Sequence, residues 1–173
     1  MPPFADLIDL GTLQLRPGEG RRVDTAVRVQ PLMLGGERYT VGDGRVDTRM
    51  DVSRTVSGGF ALRLRFDAPV EGACMRCMAD AAPVVGVDAR EIEQAGEAEE
   101  LHSPYLEDDV VDIAAWARDA LLLAMPAQIV CREDCLGLCS VCGANLNEAD
   151  PEEHQHAGGT DPRWAKLRDL KLG

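Results

Sequence analysis

The chain reads as an α+β protein, with an antiparallel β-sheet or partly open barrel in its N-terminal half and helix and loop after it. Three observations carry this expectation. The segment Phe60-Ala-Leu-Arg-Leu-Arg-Phe66 alternates apolar and cationic residues with the period of a half-buried strand. Glycine-bearing turn signals recur through residues 1–93. Residues after Asp112 change to a helical period that stops at Pro126.

Each element follows from its local pattern. Val46, Thr48, Met50 and Val52 alternate with Arg45, Asp47, Arg49 and Asp51, whose charges cancel. Turns are predicted at Arg16-Pro-Gly18, Gly35-Gly36, Gly42-Asp-Gly44, Ser57-Gly-Gly59 and Asp67-Ala-Pro69. A further strand is expected from Val84 to Glu93, completing an antiparallel β domain over residues 1–93. Residues 94–109, rich in Glu and Ala, read as an acidic mobile connection. From 110 to 173 the chain is expected to form a helix plus a loop module. Asp112 is the N-cap, and Ile113, Trp116, Ala117, Ala120, Leu121 and Ala124 share one face. Leu122, Leu123 and Met125 make the last turn apolar nearly all round, which predicts that this end is buried. A short C-terminal helix is signalled by Asp161-Pro162, with Trp164, Leu167 and Leu170 as its stripe.

Composition bounds the function. Of 173 residues, 45% are hydrophobic but only 4% aromatic, so the core must be largely aliphatic. No apolar run reaches the roughly 20 residues that span a bilayer, and Met1-Pro-Pro-Phe-Ala-Asp6 lacks the basic and apolar regions of a secretory signal. A cytoplasmic protein without membrane association is the expectation, and in a reducing compartment cysteines are expected as thiols or metal ligands. The net charge of −12 is uneven. Residues 1–75 hold ten Arg and ten acids, whereas residues 76–130 hold three Arg and twelve acids. Nucleic-acid affinity rests largely on counterion release by cations. Direct RNA contact therefore falls to the neutral N-terminal half, with Arg63 and Arg65 as candidates, and the acidic middle suits a basic protein.

The six cysteines are clustered. Cys131-x3-Cys135-x3-Cys139-x2-Cys142-Gly143 is followed by His154-Gln-His156. Two residues between thiolates let one tight turn offer both sulfurs to a tetrahedral ion, and Gly143 can take the positive φ such a turn needs. Four ligands of a structural zinc site are expected among Cys131, Cys135, Cys139, Cys142, His154 and His156, with Cys139 and Cys142 the surest pair. Cys74-Met-Arg-Cys77 lies between predicted strands, so a knuckle at a hairpin tip is one reading. With it the donors number eight, enough for two ions or for one shared between the halves. Partner contact through Cys74, Arg76 and Cys77, or simple packing, are the other readings. Neither a His-Glu-x-x-His nor a deaminase signature is present, so a catalytic zinc is not indicated.

Cys74-x-Arg-Cys77, Asp119-Ala-Leu-Leu-Leu-Ala-Met-Pro126, Cys131-x3-Cys135-x-Gly-Leu-Cys139-x2-Cys142-Gly-x-Asn-Leu-Asn147 and Asp161-Pro-Arg-Trp-x-x-Leu167 occur in that order. In this the chain resembles the bacterial YceD family of large ribosomal RNA subunit accumulation proteins, over about residues 70–170. The resemblance implies a part in accumulation or processing of large-subunit rRNA, with the precursor rRNA or a basic large-subunit protein, the rpmF product, as partner. It implies no catalytic residues. Many members carry Cys-x-Cys where this chain has His154-x-His156. The resulting expectation is a non-enzymatic ribosome-assembly factor with a zinc-binding loop module. A zinc-dependent RNA-processing hydrolase and a thiol or zinc redox sensor are the alternatives.

Overall fold

Among the residues described by this computed structural model (1–94, 102–150 and 154), ten strands and one α-helix follow in order. They are β1 (Leu7–Asp9), β2 (Gly20–Arg28), β3 (Leu32–Leu34), β4 (Glu37–Val41), β5 (Arg45–Arg54), β6 (Phe60–Ala73), β7 (Asp80–Ala81), β8 (Val84–Glu93), β9 (Leu106–Glu107), β10 (Val110–Asp112) and α1 (Ile113–Ala124). Every strand pairing is antiparallel. The molecule is thus sheet-rich α+β, and the expected C-terminal helix at Asp161–Leu170 lies outside the described residues.

Strand β6 is the hub, because its 14 residues leave room for several partners on each edge. On one edge β8 pairs with it from Phe60↔Glu93 to Pro69↔Val84. On the other, β5 pairs through Arg54↔Phe60 to Arg49↔Arg65, and β4 takes over at Val41↔Val70. Strands β2 and β3 extend the sheet beyond β5 and β4. A second small sheet, in the order β1-β10-β9, joins the N-terminal segment to the start of α1.

The turn predicted at Asp67-Ala-Pro69 is absent, since β6 runs straight through it. Proline removes a donor and is tolerated only where the ladder asks for none. Pro69 meets that condition. It lies in the gap where β5 has left the edge and β4 has not yet begun, and its carbonyl accepts from the Gly42 amide at 3.0 Å. The other four predicted turns separate strands as expected.

The alternation read from the sequence decides which face is buried. Phe60, Leu62, Leu64 and Phe66 of β6 and Val46, Met50 and Val52 of β5 all point into the core. Helix α1 covers this face, burying Ile113, Trp116, Ala117, Ala120 and Leu121. Its start is capped as expected, with Asp112 accepting from the Ala115 amide at 2.9 Å. Its final turn differs from expectation. Leu123 is 88% exposed and Ala124 is exposed as well. There the helix lines an open groove against β8 rather than closing on it, so an apolar run at a helix end was not enough to bury it.

Candidate metal centres

The first centre begins where β6 ends. Residues Cys74–Ala79 form the tip of the β6–β7 hairpin, closed by the Cys74 amide donating to the Ala79 carbonyl at 2.7 Å and the Met78 amide to the Cys74 carbonyl at 3.0 Å. Both thiols of the tip are buried. After α1 the chain returns over this tip, where the Met75 amide donates to the carbonyl of buried Ile129 at 2.8 Å. That return brings Cys131 and Cys135 onto the knuckle. Cys77 Sγ lies 3.6 Å from Cys131 Sγ, and Cys74 Sγ lies 3.8 Å from Cys135 Sγ. All four sulfurs fall within 4.8 Å of one another.

Those separations have a specific meaning. Four sulfurs at about 2.3 Å from a tetrahedral zinc stand about 3.8 Å apart. A disulfide would need about 2.05 Å. The Cys74–Cys135 and Cys77–Cys131 pairs therefore stand at the edge length of a ZnS4 tetrahedron, with all four thiols within 4.8 Å of one another.

The second centre is on the loop that follows. The Leu138 amide donates to the Arg76 carbonyl at 3.0 Å, so the loop is pinned to the first knuckle. Gly137 makes this approach possible. Its φ is +81°, and a Cβ there would sit 3.2 Å from the Arg76 carbonyl oxygen. The Cys139–Gly143 turn is closed by the Gly143 amide on the Cys139 carbonyl at 2.9 Å, with Gly143 at φ +75° as predicted. Cys139, Cys142 and His154 then offer ligand atoms within 4.8 Å of one another. Cys142 Sγ is 3.6 Å from His154 Nε2, the separation of about 3.6 Å expected for sulfur and imidazole on one tetrahedral zinc. His156 lies outside the described residues.

Crowding shifts the thiols in opposite directions. Loss of hydration against the sulfur cluster, then the neighbouring sulfurs, push the Cys131 thiol up to about 12, although the residue itself is exposed. Burial also works against ionisation of Cys74, but the amides of Cys77 and Arg76 outweigh it and lower that thiol to about 6. The amides of Cys142 and Val141, then His154, lower Cys139 to about 6 as well. Four such sulfurs cannot all ionise side by side without a cation, because each thiolate raises the free energy of the next.

The donors expected from sequence thus fall into two groups. Cys131 and Cys135 stand with Cys74 and Cys77, while Cys139 and Cys142 stand with His154. One contributor was missed. Asn147 Nδ2 donates to Cys135 Sγ at 3.5 Å, and Asn147 Oδ1 accepts from the Leu136 amide and the Arg132 guanidinium, both at 2.8 Å. Its only sequence signal is its place in the Asn145-Leu-Asn147 run after Cys142 and Gly143.

The candidate RNA-contacting arginines lie on the outer face of the main sheet. Registers align Asp24, Arg49, Arg65 and Asp88 in one row across β2-β5-β6-β8, and Arg22, Asp51, Arg63 and Arg90 in the next. Arg63 donates to Asp88 at 2.7 Å, Arg65 pairs with Asp51, and Arg49 pairs with Asp24 at 3.1 Å. Arg22 also donates to Asp51, at 3.0 Å. Arg76 is exposed between the two thiols of the knuckle.

The ordered donor set, Cys-x-x-Cys at a hairpin tip and then the Cys131–Cys142 cluster, falls within a single family match. The family of the Large ribosomal RNA subunit accumulation protein YceD matches residues 62–171, a span that takes in all six cysteines. The chain belongs to the YceD family. Its name assigns members a part in accumulation of large-subunit rRNA, and it is the name of an accumulation factor rather than of an enzyme. An uncharacterised protein of Mycobacterium tuberculosis is 29% identical over 174 residues, covering 94% of this chain and 80% of its own length. An uncharacterised Mycobacterium leprae protein is 36% identical over 63 residues, 36% of this chain and 28% of that one. A chloroplastic YCED homolog 1 of Zea mays, named a large ribosomal RNA subunit accumulation protein, is 36% identical over 76 residues, 44% of this chain and 22% of its own. No solved structure matches this member of the YceD family. No helix among its described residues is long and apolar enough to cross a membrane.

Proposed function

We propose that this protein is a non-catalytic cytoplasmic assembly factor, supporting large-subunit rRNA accumulation by docking a basic large-subunit ribosomal protein such as the rpmF product. The observation that carries the choice of a protein partner is the pairing of Arg22, Arg49, Arg63 and Arg65 with aspartates on the sheet face, in a chain of net charge −12. A phosphate reaching Arg63 or Arg65 would have to displace a carboxylate already hydrogen-bonded there, which weakens the gain from counterion release. An acidic chain attracts a basic protein over a distance and holds it more weakly as salt rises.

In this reading Cys74, Cys77, Cys131 and Cys135 hold a structural zinc ion. The ion joins the hairpin tip to the segment after α1, two parts of the chain that otherwise meet through few hydrogen bonds. Four thiolates leave no open coordination position for a substrate or water. Among the described residues neither donor group includes a carboxylate that would serve as a base. Both points favour a structural role over hydrolysis.

Titration of the zinc-loaded chain against the purified ribosomal protein and against precursor rRNA, each at low and at physiological salt, tests the proposal. Binding of the protein, weakening with salt and tighter than any RNA binding, is expected. Tight RNA binding that Arg63→Ala or Arg65→Ala abolishes would replace the protein-docking reading with direct rRNA contact.

A further inference from the structure

We propose that the open edge of β8 is a self-association surface, on which a second copy of this chain adds its own β8 antiparallel to form a two-fold dimer. This goes beyond the assembly role of the preceding section and does not depend on which partner the chain docks.

The ladder between β6 and β8 fixes which backbone groups are available. The Val70 amide donates to the Pro83 carbonyl at 2.9 Å, so residues 70 and 83 form a hydrogen-bonded pair. At every second position from there, Val85, Val87, Ala89, Glu91 and Glu93 turn their amides and carbonyls toward β6. Gly86, Asp88, Arg90 and Ile92, between them, turn theirs away. Among the described residues nothing bonds these outward groups. The other side of the main sheet differs. There the N-terminal segment bonds Ala26 of β2, from the Ala26 amide to the Pro3 carbonyl at 2.8 Å and from the Ala5 amide to the Ala26 carbonyl at 3.0 Å. Helix α1 does not close over β8, because an open groove of about 380 Å³ runs between them along Val87–Glu91.

A ten-residue strand with bare outward amides is a template for another strand. Its side chains decide which one. Asp88 and Arg90 are both exposed, two positions apart on one face, and opposite in charge. Arg90 makes no ion pair among the described residues. When two such edges meet antiparallel, outward residues must face outward residues, so only alternate registers are open. Setting Asp88 against Asp88 of the second copy, or Arg90 against Arg90, opposes like charges. The register between these two sets each Asp88 against the other copy's Arg90, with the two-fold axis at Ala89. It also places Ile92, 57% exposed, opposite a Gly86 that has no side chain to crowd it. The edge is therefore complementary to itself in both charge and shape.

Sedimentation velocity on the zinc-loaded full chain over a range of concentrations, with amide hydrogen exchange on the same samples, tests this. A monomer–dimer equilibrium is expected, and the amides of Gly86, Asp88, Arg90 and Ile92 should gain protection as the dimer fills. Arg90→Asp and Asp88→Lys should each weaken the dimer by about tenfold or more, since two opposite-charge pairs become like-charge pairs. Mixed together, the two variants should form a heterodimer about as tight as the wild-type dimer, a result that misfolding cannot produce. A chain that stays monomeric at every concentration would overturn the proposal, whether its outward amides exchange freely or are protected by another part of the chain. A dimer that Arg90→Asp leaves intact would overturn the β8 edge as its interface. Folded variants that do not recover one another on mixing would overturn the pairing of Asp88 with Arg90.

Discussion

Replacing Asn147 with Ala tests how the loop of the second centre supports the first. In the structure Asn147 Nδ2 donates to Cys135 Sγ at 3.5 Å, while Oδ1 holds the Leu136 amide and Arg132 at 2.8 Å. A hydrogen bond to a charged acceptor contributes about 1.5–3 kcal/mol. Partners bonded to metal ligands typically change affinity by about 10–100-fold when removed, or about 1.4–2.8 kcal/mol. The two estimates agree, and partial exposure of Asn147 places the effect toward their lower end. Asn147→Ala should therefore weaken zinc binding at the Cys74–Cys77–Cys131–Cys135 centre by roughly tenfold in competition with a chromophoric chelator. Asn147→Asp keeps an oxygen for Leu136 and Arg132 but loses the donor and adds an anion beside the thiolates. It should weaken binding at least as much. Affinity within about twofold of wild type in both variants would refute an N–H···S contribution to the centre.

Other consequences are equally open to measurement. Cys131→Ser should lose the ion of the first centre and lower the melting temperature of the zinc-loaded chain, because structural zinc contributes about 10–16 kcal/mol in small zinc-folded peptides; an unchanged zinc count would contradict the four-thiol grouping. Trp116→Ala should cost about 3–5 kcal/mol in urea denaturation, since Trp116 is fully buried and stacks on Tyr105 at 6.2 Å. Leu123→Ala should cost no more than about 0.5 kcal/mol, as expected for an exposed side chain; a core-sized loss would show that the helix end is covered in solution. Arg22 first and Arg65 next hold the Asp51 carboxyl below its usual 3.8, and Arg63 does so for Asp88. Lowered folded-state values mean stability that is present above the unfolded value and lost as pH falls through the folded one. Urea midpoints should drop below about pH 4 more steeply for wild type than for Asp88→Asn, by a small amount because the pairs are solvent-exposed.

What the sequence disclosed depended on whether the determining interactions were local. Strand β6 and the buried sets on β5 and β6 were legible because period-two alternation records directly which face is covered. The cap at Asp112 and the stop at Pro126 were legible for the same local reason. The straight run through Pro69 was not, because it depends on two different strands sharing one edge of β6. Exposure of Leu123 depends on where α1 ends relative to β8, which residue type does not encode. At the candidate metal centres the cysteines and His154 were recognisable as donors, but their grouping was hidden. Proximity in sequence favours Cys131 and Cys135 with Cys139 and Cys142. The return of the chain over Met75 and Ile129 places the first two on the distant hairpin tip instead. Arg63 and Arg65 looked available in the alternating pattern, and cross-strand register alone reveals Asp88 and Asp51 beside them.

The most direct test of the account is X-ray absorption at the zinc edge on the Cys139→Ser, Cys142→Ser double variant, which retains only the first centre. One zinc surrounded by four sulfurs at about 2.3 Å is predicted. A shell containing nitrogen or oxygen, or a chain that binds no zinc while its sheet stays folded, would contradict the joining of the Cys74 hairpin to Cys131 and Cys135 by a single ion.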